Sequence, residues 1–149
     1  MVVNIQFTTD AVCPLTEDQI KAAVEKTMRV SGAISDAELT VVLSDDDELH
    51  RLNLQFLGID APTDVLSFPA DFVDPDSQHP YLGDILISVE RALQQAEQQN
   101  HSAQQELRLL IVHGVLHLLG FDHAEAVDKE RMWSLQNQIV SNLKDGEPN

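Results

Sequence analysis

Residues 109–119 read LLIVHGVLHLL, a run that is apolar on every side apart from its two histidines. This pattern predicts a helix buried in the core rather than an amphipathic helix with one solvent-exposed face. His113 and His117 stand at i and i+4, so their side chains project in the same direction one turn apart. Either one alone would more often be a core histidine bonded to a carbonyl. As a pair they suit two imidazole nitrogens, each about 2.0–2.1 Å from one zinc ion.

A third histidine follows directly after the predicted end of this helix. Gly120 can adopt the left-handed conformation that ends helices, so His123, three residues later, can turn back toward His113 and His117. Three neutral histidines leave a fourth position for water or substrate, as in catalytic zinc sites, where the ion lowers the pKa of water toward ~7. The sequence therefore predicts one metal ion, zinc first, although nickel or copper also suits three imidazoles. The alternative is a packed polar cluster without metal.

Two further residues lie beside these candidate ligands. The spacing H-x3-H-x2-G-x2-H is also that of metzincin proteases, which place a glutamate general base directly after the first histidine. Gly114 occupies that position, and losing a group worth roughly 10²–10⁴ in rate weakens a peptidase interpretation. A glycine inside a helix costs about 1 kcal/mol against alanine, so we expect another backbone to approach closely there. Asp122 could orient a histidine ring, cap the last helix or accept a proton during catalysis.

Hydrophobic periodicity predicts the remaining elements. Strands are expected at 3–7, 39–43, 65–68 and 82–88, with Pro69 closing the third and a loop, either a flap or an ordinary surface excursion, filling the interval to the fourth. Helices are expected after the N-caps Thr16, Ser44, Ser88 and Ser102, and again over 125–143. The run 45–48 is acidic and complements the dipole of a helix start, because it lacks the spaced ligands of a calcium loop. The order β-α-β-α-β-β-α-α-α indicates a small mixed four-stranded sheet packed against about five helices, with the histidine helix at the centre.

Bulk composition limits the class of protein. The chain has 149 residues, of which 43% are hydrophobic and 5% aromatic, which suits one domain over 1–149 with an aliphatic core. No apolar run approaches the ~20 residues of a membrane span, and the start lacks signal-peptide features, so we expect neither membrane insertion nor export. A lone cysteine, Cys13, fits the reducing cytoplasm. The net charge of -16 argues against a general nucleic-acid binder.

The sequence nevertheless closely resembles the YbeY family of bacterial metal-dependent endoribonucleases and rRNA maturation factors. Residues 113–123 match its H-G-x-L-H-L-x-G-[YF]-D-H signature at every fixed position, while 62–69 (PTDVLSFP) and 82–85 (LGDI) match two further blocks. The resemblance covers essentially the whole chain. It implies an α+β fold, a zinc ion on His113, His117 and His123, and cleavage of single-stranded RNA in rRNA maturation and ribosome quality control, with the ribosome or its proteins as partners.

One position departs from the family pattern. The family usually has an arginine before a glycine just after the second helix, whereas this chain has Leu57 before Gly58. Leucine cannot neutralise a phosphate, so phosphate binding would depend on the metal and on a few cations, with Arg51, Arg91 and Arg108 as candidates. Three hypotheses follow: a metal-dependent endoribonuclease, which is the leading one, a metzincin-like metallopeptidase, and a ribosome-assembly factor with a structural metal. The oligomeric state does not follow from the sequence.

Overall fold

A computed structural model describes residues 1–33, 36–121 and 126–143, with only the backbone of 126–128. Its four strands are β1 (Val2–Phe7), β2 (Glu38–Ser44), β3 (Val65–Val73) and β4 (Pro80–Ser88). They form one sheet in the order β1-β2-β4-β3. The β1–β2 and β2–β4 pairs are parallel, and β3–β4 is antiparallel. The predicted mixed four-stranded sheet is thus confirmed.

Five described helices accompany this sheet in the order expected. They are α1 (Glu17–Val30), α2 (Asp46–Leu57), α3 (Val89–Gln98), α4 (Ala103–Leu118) and α5 (Ala126–Ser141). Helix α4 packs against α1, α3, α5, β3 and β4, and most of its side chains are buried. It is therefore the predicted central helix. Among the residues with described positions, no helix is long and apolar enough to span a membrane.

Apolar side chains form three clusters, which explain how α4 is held. The main cluster joins the sheet to α1, α3 and α4, and includes Ile20, Leu39, Ile85 and Ile111. A second cluster joins α4 to α5 and consists of fully buried Val112, Leu116, Met132 and Ile139. A third lies under α2 on the sheet, around Leu49, Leu66 and Leu86. Helix α4 is consequently packed on one side by the sheet and on another by α5.

Three of the four predicted N-caps are confirmed. Thr16 and Ser102 each form a complete capping box, and Ser88 accepts from the backbone of α3. Ser44 was the wrong cap for α2, because β2 continues through this residue in register with Ser88 of β4. Asp45 takes the role and accepts the Glu48 N–H at 2.9 Å.

The third strand is longer than predicted. Pro69 does not close it, because β3 continues to Val73 with a register shift between Pro69 and Phe72. β3 is an edge strand, and one of its sides pairs with no other described strand. A proline, which has no N–H, is tolerated in an edge strand because no hydrogen bond of the sheet is lost on that unpaired side. The predicted long loop therefore shrinks to residues 74–79, a short connection between two antiparallel strands.

Candidate metal centre

The first two predicted ligands lie side by side on α4. The Nε2 atoms of His113 and His117 are 3.1 Å apart, and the ring centroids are 4.6 Å apart. Two tetrahedral ligands at zinc–nitrogen distances of 2.0–2.1 Å would place their nitrogens about 3.3 Å from each other. The donor atoms and their separation therefore fit a zinc ion with little movement of either ring.

The other ring nitrogen of His113 contacts α5. His113 Nδ1 lies 2.9 Å from Oε1 of Gln136. An amide oxygen only accepts, so this contact favours the tautomer with the proton on Nδ1 and the lone pair on Nε2, the atom nearest His117. Gln136 was not among the residues predicted for the site. Its one signal was a polar residue between Met132 and Ile139 on the apolar face of the last helix.

The end of α4 has the geometry that the glycine predicted. Gly120 has φ of 94°, in the left-handed region. Its N–H donates to the His117 carbonyl, and that of Phe121 donates to the Leu116 carbonyl, which together make a Schellman motif. Asp122 and His123 lie outside the described residues, so their predicted roles stay predictions. Within the part of the chain that is described, no three His, Cys, Asp or Glu side chains form a metal-binding group.

Gly114 brings α4 close to the sheet, though not in the way predicted. A Cβ atom there would lie 2.6 Å from Cγ2 of Ile85, so the neighbour is a side chain of β4 and not a backbone. The Gly114 carbonyl also accepts a hydrogen bond of 3.1 Å from Ser67 Oγ on β3. The Cβ atom of a glutamate at this position, as in the metzincins, would overlap Ile85.

Both histidines open onto a cavity of about 650 Å³. Its other walls are the end of α2, the connection after it and the start of β3, contributed by Asn53, Leu57, Ile59, Pro62, Thr63, Asp64, Val65, Leu66, Ser67 and Pro69. The block 62–69 that resembles the family therefore forms one wall of this cavity. Leu57, the position of the departure, lies at its rim with 58% of its surface exposed.

Positive side chains are missing from the described lining of the cavity. The three candidate cations lie elsewhere: Arg51 pairs with Glu48 at 2.9 Å, Arg91 makes two 3.0 Å contacts with Asp46, and Arg108 is only 1% exposed. Burial raises the pKa of Asp46, but the hydrogen bonds from Arg91 and Ser88 outweigh it and lower that pKa overall. The acidic run at the start of α2 thus binds α3 through Arg91, and we interpret the role of this arginine as structural.

Comparison with known proteins agrees with the fold and identifies the family. A family model described as Endoribonuclease YbeY matches residues 4–144. The Endoribonuclease YbeY of Roseiflexus castenholzii is 39% identical over 148 residues, covering 96% of this chain and 93% of that protein. That of Desulfitobacterium hafniense is 42% identical over 132 residues, 83% of each chain. The solution structure of TM1509 from Thermotoga maritima aligns with a TM-score of 0.64 and 29% identity, over 95% of this chain and 89% of that one. The chain belongs to the YbeY endoribonuclease family.

Proposed function

We propose that this protein is a zinc-dependent endoribonuclease that cleaves single-stranded RNA during rRNA maturation and ribosome quality control. Family membership supplies the reaction class. The observation that carries the metal proposal is the pair of Nε2 atoms 3.1 Å apart on the wall of a cavity. The bond from His113 to Gln136 adds to it, because it leaves a nitrogen lone pair turned toward the second histidine.

His113, His117 and His123 would hold the ion. A zinc ion held there supplies a Lewis acid, which polarises a phosphoryl oxygen and makes water more acidic. Asp122, next to the third ligand, would orient a histidine ring. The donor set is neutral, so the ion keeps its full positive charge toward an anionic substrate.

The cavity walls favour an unpaired nucleotide. A volume of about 650 Å³ lies within the ~300–1,000 Å³ usual for small-molecule pockets, which is enough for a base and its sugar. Bases in single strands can be splayed out into such a pocket, whereas bases in a duplex stay stacked. The exposed rim residue Leu57 and its neighbour Ile59 offer apolar surface to such a base. The wall is braced by Asn53, whose amide donates to the Ala61 carbonyl at 2.9 Å.

Phosphate contacts are the weak point of this cavity. The chain carries a net charge of -16, and no lysine or arginine is among the cavity residues that are described. Counterion release by cations usually provides much of the affinity for nucleic acid. We therefore infer that the ribosome or a ribosomal protein presents the RNA. We also propose that the enzyme works in the cytoplasm.

A second candidate is an assembly factor whose metal is structural. Leu57 and the absence of cations along the described cavity walls favour it. It differs from the enzyme in two outcomes: removing the metal would unfold the protein, and no RNA would be cut with metal present. The peptidase alternative gains no support, because a glycine stands where its general base would be and a Cβ atom there would overlap Ile85.

The decisive experiment uses purified protein, first stripped with a chelator and then refilled with zinc. We expect one zinc per chain and cleavage of single-stranded RNA, with little cleavage of duplex RNA or unstructured protein. His117→Ala should lose both metal and cleavage. His50→Ala is the matched control, since His50 bonds Asp60 on the surface and does not line the cavity. Unchanged RNA cleavage by the His117→Ala protein would refute the catalytic metal.

A further inference from the structure

We propose that Gln136 is a positioning residue: its amide oxygen holds His113 in the single tautomer that can bind metal through Nε2. The proposal has a part that concerns the ring alone, which the metal-free protein can test. Its second part, a gain in zinc affinity, rests on the proposed function. Neither role is contained in the sequence motif, because Gln136 lies on a different helix, 23 residues further along the chain.

The packing between α4 and α5 fixes this contact in place. Val112 and Leu116 on α4 lie against Met132 and Ile139 on α5, and all four are fully buried. Gln136 stands one turn after Met132, on the same face of α5, and it reaches His113 at 2.9 Å. The packing of these two helices therefore holds the amide and the ring at hydrogen-bond distance.

The direction of the hydrogen bond decides whether the ring can serve as a ligand. A neutral imidazole has one N–H and one lone pair, and the bond made by one nitrogen determines the role of the other. With Oε1 accepting from Nδ1, the lone pair of His113 lies on Nε2, which is 3.1 Å from His117 Nε2. The opposite tautomer would place a proton on Nε2 and prevent coordination there.

The chemistry of this partner also matters for an anionic substrate. Histidine ligands usually donate their second N–H to a carboxylate, a carbonyl or water. An amide oxygen performs the same task without negative charge. In a chain with a net charge of -16 and an acidic residue, Asp64, in the cavity wall, a neutral partner avoids one more repulsive charge beside the RNA.

The test compares three variants. Gln136→Leu keeps the approximate size and removes the acceptor, and Gln136→Glu keeps an acceptor. Gln138→Leu makes the same chemical change at an exposed position of the same helix. Nitrogen-15 NMR of the metal-free proteins reports the tautomer of His113, whose signals are assigned by their loss in His113→Ala. Zinc affinity is measured by competition with a chromophoric chelator.

We expect the wild type to carry its proton on Nδ1, and Gln136→Leu to lose this preference and bind zinc about 10–100-fold more weakly. Gln136→Glu should keep the tautomer and bind zinc at least as tightly as wild type, while Gln138→Leu should change neither. A proton on Nε2 in the wild type, or an unaltered zinc affinity in Gln136→Leu, would overturn the proposal. If Gln136→Leu does not fold, the wild-type tautomer and the glutamate variant still decide. Wild-type protein that binds no zinc would refute the proposed function. The spectra of the metal-free proteins would still show whether Gln136 determines the tautomer of His113.

Discussion

Substituting Gly114 by alanine tests how closely α4 must approach the sheet. The added methyl group would lie 2.6 Å from Cγ2 of Ile85, and 3.4 Å from its Cγ1 and Cδ1. The closest of these contacts is about 1 Å short of the ~3.5 Å that two carbon atoms prefer. Since Cγ2 branches directly from Cβ, a simple bend of the side-chain end cannot remove the overlap. Either Ile85 changes rotamer in a full core, or α4 moves outward.

The expected free energies have opposite signs in two backgrounds. Overpacking a core lowers the free energy of unfolding by about 1–3 kcal/mol. Alanine in place of glycine raises it by about 1 kcal/mol, because alanine has the higher helix propensity. Gly114→Ala should therefore destabilise the wild type by about 0–2 kcal/mol. In an Ile85→Ala background the clashing methyl is gone, so the same substitution should stabilise by about 1 kcal/mol. The coupling energy between the two positions is then about 1–3 kcal/mol.

Urea unfolding of the metal-free proteins measures these values without a contribution from zinc binding. Ile87→Ala provides the matched control, because Ile87 is equally buried on β4 and is not among the three nearest contacts of position 114. Gly114→Ala should remain unfavourable in that background. An equal penalty with isoleucine and with alanine at position 85 would show that the contact does not limit the approach of α4, and our explanation of the glycine would fail.

Two further predictions concern the cavity rim and the sheet. Leu57→Arg should raise RNA cleavage and steepen the log–log salt dependence of RNA binding by about 0.7, the value for one contact to a single strand; Leu54→Arg, on the same helix but outside the cavity lining, should do neither. Burial and the hydrogen bond to Asp84 raise the pKa of Tyr81 to about 12 from 10.0, despite an opposing bond to Thr40. Because the unfolded tyrosine ionises first, stability should fall as pH rises from about 10 to 12. Ultraviolet titration of this single tyrosine measures the pKa, and the loss of stability between about pH 10 and 12 should be smaller in Tyr81→Phe by the part that this group contributes.

The parts of the fold that depend on residues close together in the sequence were predictable from the sequence. The capping box of Thr16 and the glycine stop at Gly120 involve contacts within a few residues, so their signals are local. Ser44 and Pro69 were misjudged for one reason, which is that strand pairing decides both. Ser44 stays in β2 because Ser88 of β4 pairs with it, and Pro69 stays in β3 because that strand is at the edge.

The histidine pair depends on contacts that no local pattern could reveal. The i, i+4 spacing gives the common direction of the two rings, yet their position is set by β4 on one side and α5 on the other. Gly114 lies against Ile85, 29 positions earlier in the chain, and the ring next to it bonds Gln136, 23 positions later. In the sequence these contacts appear only as a costly glycine in a helix and a polar residue on an apolar face. Both features lie at His113, so this predicted ligand is held from two directions, and we expect changes on β4 or α5 to alter metal binding at the proposed site.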